Sequence, residues 1–213
     1  MDGAATRKRA VRDLKRGLIL DAARKVFEAE GLDGASLRAI AAAAGYTPAA
    51  LYFHFDCKEA IYAEVLAASL ANLGDAVRRA TGRGKTPADR LRAAAMAFFR
   101  YYADNPRDLD LGFYLFRGGM KPHGLGKARD QALNAALGAA LRPIAAAAEA
   151  LGAPPDAANA LMVDTFAHAV GLLLLAHTGR MRLFGAAAPD LMQRFLEQEV
   201  TALAAERRPS LRR

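Results

Sequence analysis

The sequence predicts an all-α protein, and three observations carry that prediction. Apolar residues recur every three or four positions through most of the 213 residues. Alternation of β-branched residues is almost absent. Glycine, proline and Thr-Pro signals fall where the periodic stretches end. No internal repeat is present, and everything after residue 59 reads as helix.

The first helix is expected from about Leu14 to Glu30, with Leu18, Ala22, Val26 and Phe27 as its apolar stripe and Gly31-Leu32-Asp33-Gly34 closing it. Ser36 can cap a second helix, whose apolar positions are Leu37, Ile40, Ala41 and Ala44. Gly45 stops that helix, because the residue after a helix end commonly takes positive φ, which costs glycine least. Thr47-Pro48 restarts the chain, with threonine as cap and proline at the first helical position. The third helix turns Leu51 and Phe55 inward and offers Tyr52 and His54 to a partner. Two short helices joined by a glycine turn form a helix-turn-helix, whose second member enters the DNA major groove. Asp56 and Glu59 then match a capping box that opens a long helix from Cys57 to about Arg79.

Five further helices are expected. Thr86-Pro87-Ala88-Asp89 opens one that ends near Asp104, before Pro106, and a shorter one covers Asp108 to Arg117. A glycine-rich loop, 118–126, leads into a helix from Lys127 to Ala150 with a kink at Pro143. Pro154-Pro155 starts a helix to Arg182, and Pro189-Asp190 starts the last, to Arg208.

The formal net charge of +8 points to an anionic partner, but it is spread out. Residues 1 to 60 hold ten Lys/Arg against eight Asp/Glu, and only the extreme N-terminus is locally basic, with Arg7, Lys8, Arg9, Arg12, Lys15 and Arg16. Such a segment is either a flexible arm that reaches phosphates or a solvated tail. The longest apolar run, 169–176, is far short of a membrane span, and no apolar stretch follows the basic N-terminus as in a secretory signal. One cysteine excludes an intramolecular disulfide. A soluble cytoplasmic protein with no membrane partner is expected.

Residues 14 to 66 resemble the DNA-binding domain of the tetracycline-repressor (TetR) family of bacterial transcriptional regulators. The residues that carry the resemblance are Ala22-Ala23, Val26-Phe27, Gly31, Ser36-Leu37, Ile40-Ala41, Ala44-Gly45-Tyr46-Thr47, Leu51-Tyr52, His54-Phe55 and Lys58-Glu59. The run Leu-Tyr-x-His-Phe-x-x-Lys-Glu at a fixed distance behind Ala-x-x-x-Gly is its most specific part. The resemblance implies about nine helices: a helix-turn-helix DNA-binding domain at 1–58, and a helical ligand-binding and dimerisation domain at 59–213. It places Ser36, Thr47, Tyr52, His54 and Lys58 on phosphates, and gives base reading to Arg38, Tyr46, Thr47, Pro48 and Ala49 or Ala50. It also implies a homodimer through the last two helices, whose apolar positions include Leu161, Phe166, Val170, Leu173 and Leu174, then Leu191, Phe195, Val200 and Leu203. Two recognition helices one turn of DNA apart read a palindrome.

The second expected site is a pocket for a hydrophobic small molecule. Met96, Phe99, Tyr102, Phe113 and Phe116 would form its wall, with Tyr101, Tyr114 and Met120 nearby. Asp164 and His168, four apart on the most apolar helix, either satisfy each other or face a ligand. No third residue at a suitable spacing joins them, so neither a metal nor another cofactor is expected. These features predict a ligand-released repressor acting on double-stranded DNA. The alternatives are a constitutive or architectural DNA-binding protein, which a fully packed sensor core would favour, and a helical enzyme. The enzyme reading lacks a nucleophile–base pair and a phosphate loop, with histidine only at His54, His123, His168 and His177.

Overall fold

Helix-forming residues and their stop signals produce an all-helical chain. The computed structural model describes residues 3–112 and 124–206, with nine α-helices and no strand among them. The helices are α1 (Gly3–Gly34), α2 (Leu37–Ala44), α3 (Pro48–Tyr52), α4 (Lys58–Thr81), α5 (Pro87–Asp104), α6 (Pro106–Gly112), α7 (Lys127–Ala150), α8 (Pro155–His177) and α9 (Ala188–Glu206). Phe113, Tyr114, Phe116, Met120, His123 and the arginines from Arg207 onward lie outside the described residues.

The chain folds as two compact units. The first takes the described parts of Met1–Ser69 and Arg107–Leu133; the second takes Leu70–Pro106 and the described part of Asn134–Arg213. All three boundaries between the units fall inside helices, in α4, after the first residue of α6 and in α7, and are crossed by continuous backbone.

In the first unit, α1 packs on α2 and α2 on α3. The basic N-terminal segment is not a separate flexible arm: it forms the first turns of α1, which begins at Gly3. Ala4 and Ala5 followed by long basic side chains are good helix formers, so the helix extends past Leu14. Leu18, expected in the stripe, is 50% exposed, and Ile19, one position on, is buried with Ala22, Ala23, Val26 and Phe27. Helical geometry breaks at Gly31, with φ 71° and ψ 178°. Phe27 meets Tyr62 of α4 edge to face at 4.8 Å. Burying side chains of this size contributes about 1.5–3 kcal/mol each. Helix α6 is fastened here by polar contacts: Asp108 is buried, ion-pairs with Arg24 of α1, and accepts from Ser69 Oγ at 2.8 Å. Tyr62 donates its hydroxyl to the Leu111 carbonyl at 2.6 Å, and Arg107 reaches Glu28 at 2.8 Å.

In the second unit, α5 packs against α8 and α9, which also pack on each other. Thr86 and Asp89 form a capping box at the start of α5, where the helix is expected to open. Phe98 and Phe99 centre the core with Leu91, Ile144 and Leu173. Two boundaries, of α6 and α8, differ from expectation. Helix α6 starts at Pro106, where proline suits the first turn. Helix α7 has the expected bounds, with Pro143 inside it. Helix α8 stops at His177, because Gly179 turns left-handed with φ 71°, and Arg180–Phe184 forms a separate 3-10 turn.

Length and composition would let α4 and α8 cross a membrane, although neither holds a long unbroken apolar run. For α4 the apolar content is explained by packing, since over half of its most apolar stretch is buried. On α8 only 28% is buried, which leaves a largely apolar surface whose role is taken up below.

Candidate nucleic-acid interface

The helix-turn-helix forms as its caps dictate. Ser36 Oγ accepts from the Ala39 amide at 3.1 Å, and Thr47 Oγ1 accepts from the Ala50 amide at 3.2 Å. Each satisfies one of the backbone donors left free at a helix start. Gly45 is left-handed, with φ 73°, and the Tyr46 amide returns to the Ala41 carbonyl at 2.9 Å. Inside, Ile40, Ala41 and Leu51 are fully buried, and Phe55 is buried just beyond the helix. With one face spent on packing, the opposite face of the five-residue α3 is left to solvent.

That free face holds most of the residues expected at DNA. Ser36, Arg38, Thr47, Pro48, Ala49 and Tyr52 are exposed, while Tyr46, Ala50 and His54 are half-buried. The amides at the starts of α2 and α3 lie on the same segments as these side chains, a setting that favours anions. Phe53, 92% exposed directly after Tyr52, was not anticipated. An apolar ring so exposed beside a recognition helix is informative, but the sequence marks it only as the variable position of a motif.

Lys58 departs from its expected place. Its ammonium donates to the carbonyls of Leu32 at 2.8 Å, Asp33 at 3.2 Å and Ala35 at 3.2 Å. Three N–H groups meet three acceptors, so the side chain fastens the α1–α2 connection, and a phosphate role does not follow from its position. The predicted capping box at Asp56 is likewise not formed. Helix α4 begins at Lys58, one residue later than expected, and Asp56 lies 3.8 Å from Arg129 instead.

Arg16, expected only as part of a basic arm, is the busiest side chain behind the interface. It forms a two-pronged pair with Glu64, donates to the His54 carbonyl at 3.1 Å, and stacks 4.3 Å from the Phe55 ring centre. A cavity of about 390 Å³ adjoins it, lined by the polar side chains of Arg16, His54, Asp56, Glu64 and Arg129 and by alanines of α4 and α7.

The expected effector site is only partly assembled among the described residues. Phe99 and Tyr102 are buried in the core, where Phe98 meets Tyr102 at 5.2 Å and Phe166 at 5.7 Å. Met96 instead lines an open groove of about 510 Å³ with Tyr101, Arg83 and Arg100. Asp164 is exposed and does not pair with His168, which stacks on Phe195 at 4.2 Å. The buried polar atoms on this helix are Thr165 Oγ1 and His168 Nε2, three residues apart, and neither has a hydrogen-bond partner. Phe113 and Phe116 lie outside the described residues.

Fold and site together define an all-α helix-turn-helix protein with a second helical unit. Residues 19–65 match the sequence model of bacterial regulatory proteins of the tetR family. The HTH-type transcriptional activator FasR of Mycolicibacterium smegmatis is 40% identical over 93 residues, 44% of this chain and 42% of that protein. The HTH-type transcriptional regulator AcrR of Shigella flexneri is 40% identical over 57 residues, 27% of this chain and 26% of that one. The chain thus spans less than half the length of either relative. The crystal structure of the transcriptional regulator FadR from Bacillus subtilis, in complex with stearoyl-CoA, superposes with a TM-score of 0.67 at 17% identity, covering 86% of this chain and 96% of that one. The likeness to the tetR family of bacterial regulatory proteins is thus carried by residues 19–65, and the likeness to the solved structure shows a shared fold over most of the chain.

Proposed function

We propose that this protein is a cytoplasmic, homodimeric DNA-binding repressor, released from a palindromic operator by a hydrophobic small molecule. The observation that carries the reading is the division of labour on α2 and α3: Ile40, Ala41 and Leu51 face the core, while Arg38, Thr47, Pro48, Ala49 and Tyr52 face solvent. In this reading Ser36, Thr47, Tyr52 and His54 bind phosphates, and Arg38 reads a base edge with its fork of donors.

Dimerisation is supported by the outer face of α8. Ala160, Val163, Ala167, Gly171 and Leu174 recur there at helical spacing and are exposed, with Val163 and Leu174 more than half so. Small residues let a second helix approach closely, and a two-fold pair of recognition helices must stand about 34–36 Å apart to fit DNA. An effector is supported by Thr165 Oγ1 and His168 Nε2, since buried polar atoms without partners are costly unless a ligand supplies one. FadR from Bacillus subtilis holds stearoyl-CoA, which fits an acyl-type or similarly lipophilic compound. Helix α4, continuous between the two units, is the covalent route by which the effector changes the separation of the recognition helices.

The test is a mobility-shift assay with the DNA upstream of the coding sequence, followed by transcription in vitro. A dimer that neutralises about four phosphates per subunit gives log K falling against log salt with a slope near −7. A salt-insensitive affinity sinks the DNA-binding reading. A transcript that increases when protein is added makes it an activator.

A further inference from the structure

Helix α3 is five residues long, too short to hold an orientation by its own hydrogen bonds. Its entry is fixed by the Thr47 cap and the Tyr46 amide, and its middle by buried Leu51. Its exit depends on a different group. The amides of His54 and Phe55 both return to the Leu51 carbonyl, at 2.9 and 3.0 Å, and the His54 carbonyl takes a donor from outside the turn. Arg16 Nη1 supplies that donor at 3.1 Å. The same guanidinium uses Nε and Nη2 on the two carboxylate oxygens of Glu64 and lies over the buried Phe55 ring. One side chain of α1 therefore joins the exit of α3 to a carboxylate of α4, through donors whose relative directions are fixed by the planar guanidinium.

We infer that Arg16 is a positioning residue for DNA recognition, which makes the end of the recognition helix follow Glu64 of α4 without itself touching DNA. The inference rests on the function proposed above and adds to it the joint between α3 and α4. Lysine cannot replace the fork, because an ammonium does not grip both carboxylate oxygens and a carbonyl in one plane.

The experiment compares the full-length wild type with Arg16→Gln, Arg16→Lys, Glu64→Gln and the double variant Arg16→Gln/Glu64→Gln. Operator affinity is read by fluorescence anisotropy across a salt series, and amide exchange at residues 53–55 is followed without DNA. Arg16→Gln is expected to weaken operator binding about tenfold, the loss typical of one charge-assisted hydrogen bond. Arg16→Lys should fall between it and wild type. The salt slope should be unchanged, the His54 and Phe55 amides should exchange faster, and the double variant should be no worse than either single one. A salt slope reduced by about 0.9 per chain would make Arg16 a phosphate ligand and overturn the inference. Wild-type protection at His54 and Phe55, or additive losses in the double variant, overturn it as well. If Arg16→Gln does not fold, Glu64→Gln and Arg16→Lys decide the same points. Failure of the wild type to bind DNA counts against the proposed function, and the exchange measurement still decides the joint.

Discussion

Replacing Lys58 by methionine keeps the apolar stem and removes the ammonium that three carbonyls share. The carbonyls of Leu32 and Asp33 belong to the end of α1, where helix acceptors lack intrahelical partners, and that of Ala35 belongs to the turn before α2. A hydrogen bond to a charged donor contributes about 1.5–3 kcal/mol when well shielded. The Lys58 side chain is only half-buried, so water replaces part of each bond and the three together are worth about 2–3 kcal/mol. In a chain of this size each kcal/mol moves the melting temperature by about 2–4 °C, which gives a fall of about 4–12 °C for Lys58→Met. Thermal unfolding of the full chain by circular dichroism measures this directly. DNA affinity should fall only as far as the α1–α2 connection loosens, with the salt slope retained. If Lys58→Met melts like wild type and the salt slope drops by about 0.9 per chain, the ammonium serves a phosphate and the reasoning from its three acceptors is wrong.

Arg38→Ala should change the preferred operator sequence, not merely weaken binding, because its exposed fork is the strongest hydrogen-bonding group expected at a base edge and such a contact discriminates by about 1–3 kcal/mol; binding-site selection checks it, and an unchanged consensus refutes it. Asp108→Asn leaves Arg24 without its buried partner and should lower stability by about 2 kcal/mol, a figure reduced because Arg24 is partly exposed; the urea midpoint measures it. Arg92 donates to both oxygens of Glu197 and holds that carboxyl below its ordinary pKa, as the Thr86 hydroxyl and amide do for Asp89. A carboxylate pKa that is lower in the folded state stabilises above the ordinary carboxylate range, and the gain is lost as pH falls through the folded value. Wild type should therefore melt higher than Glu197→Gln at neutral pH, and the difference should disappear on acidification; a pH-independent difference refutes the pairing.

Much of the helix-turn-helix could be read from local chemistry because each signal acts within four residues. Ser36, Gly45, Thr47 and Pro48 each decide a dihedral angle or one backbone hydrogen bond, and all four sit where expected. Packing registers were less legible. Leu18 and Ile19 are both apolar, and only the crossing of α1 with its neighbours decides that Ile19 goes inside. Long-range polar partners were not legible at all. Nothing near Lys58 indicates carbonyls 23 to 26 residues earlier, and nothing near Arg16 indicates Glu64, 48 residues on. Asp164 and His168 do not satisfy each other, for a related reason: i, i+4 spacing places two side chains on one face without saying whether that face is buried. Helix α8 turns Asp164 to solvent and buries Thr165.

The proposed reading surface is poor in hydrogen-bonding groups, and this bears on how selectivity could arise. Pro48, Ala49 and Ala50 can offer only apolar contact to a base edge, chiefly to thymine methyl groups. Phe53 adds a fully exposed ring with no donor. A surface of this kind discriminates by shape, since a methyl group displaced by about an ångström loses up to about half of its dispersion attraction and has no hydrogen bond to hold it. Accuracy in placing α3 therefore matters more here than on a surface rich in forked donors. The polar contacts found are arranged to supply that accuracy from behind: Thr47 fixes the entry of α3, Arg16 fixes its exit, and Lys58 fixes the connection that leads into α2. None of the three needs to read a base for its loss to change which operators are bound tightly enough to matter.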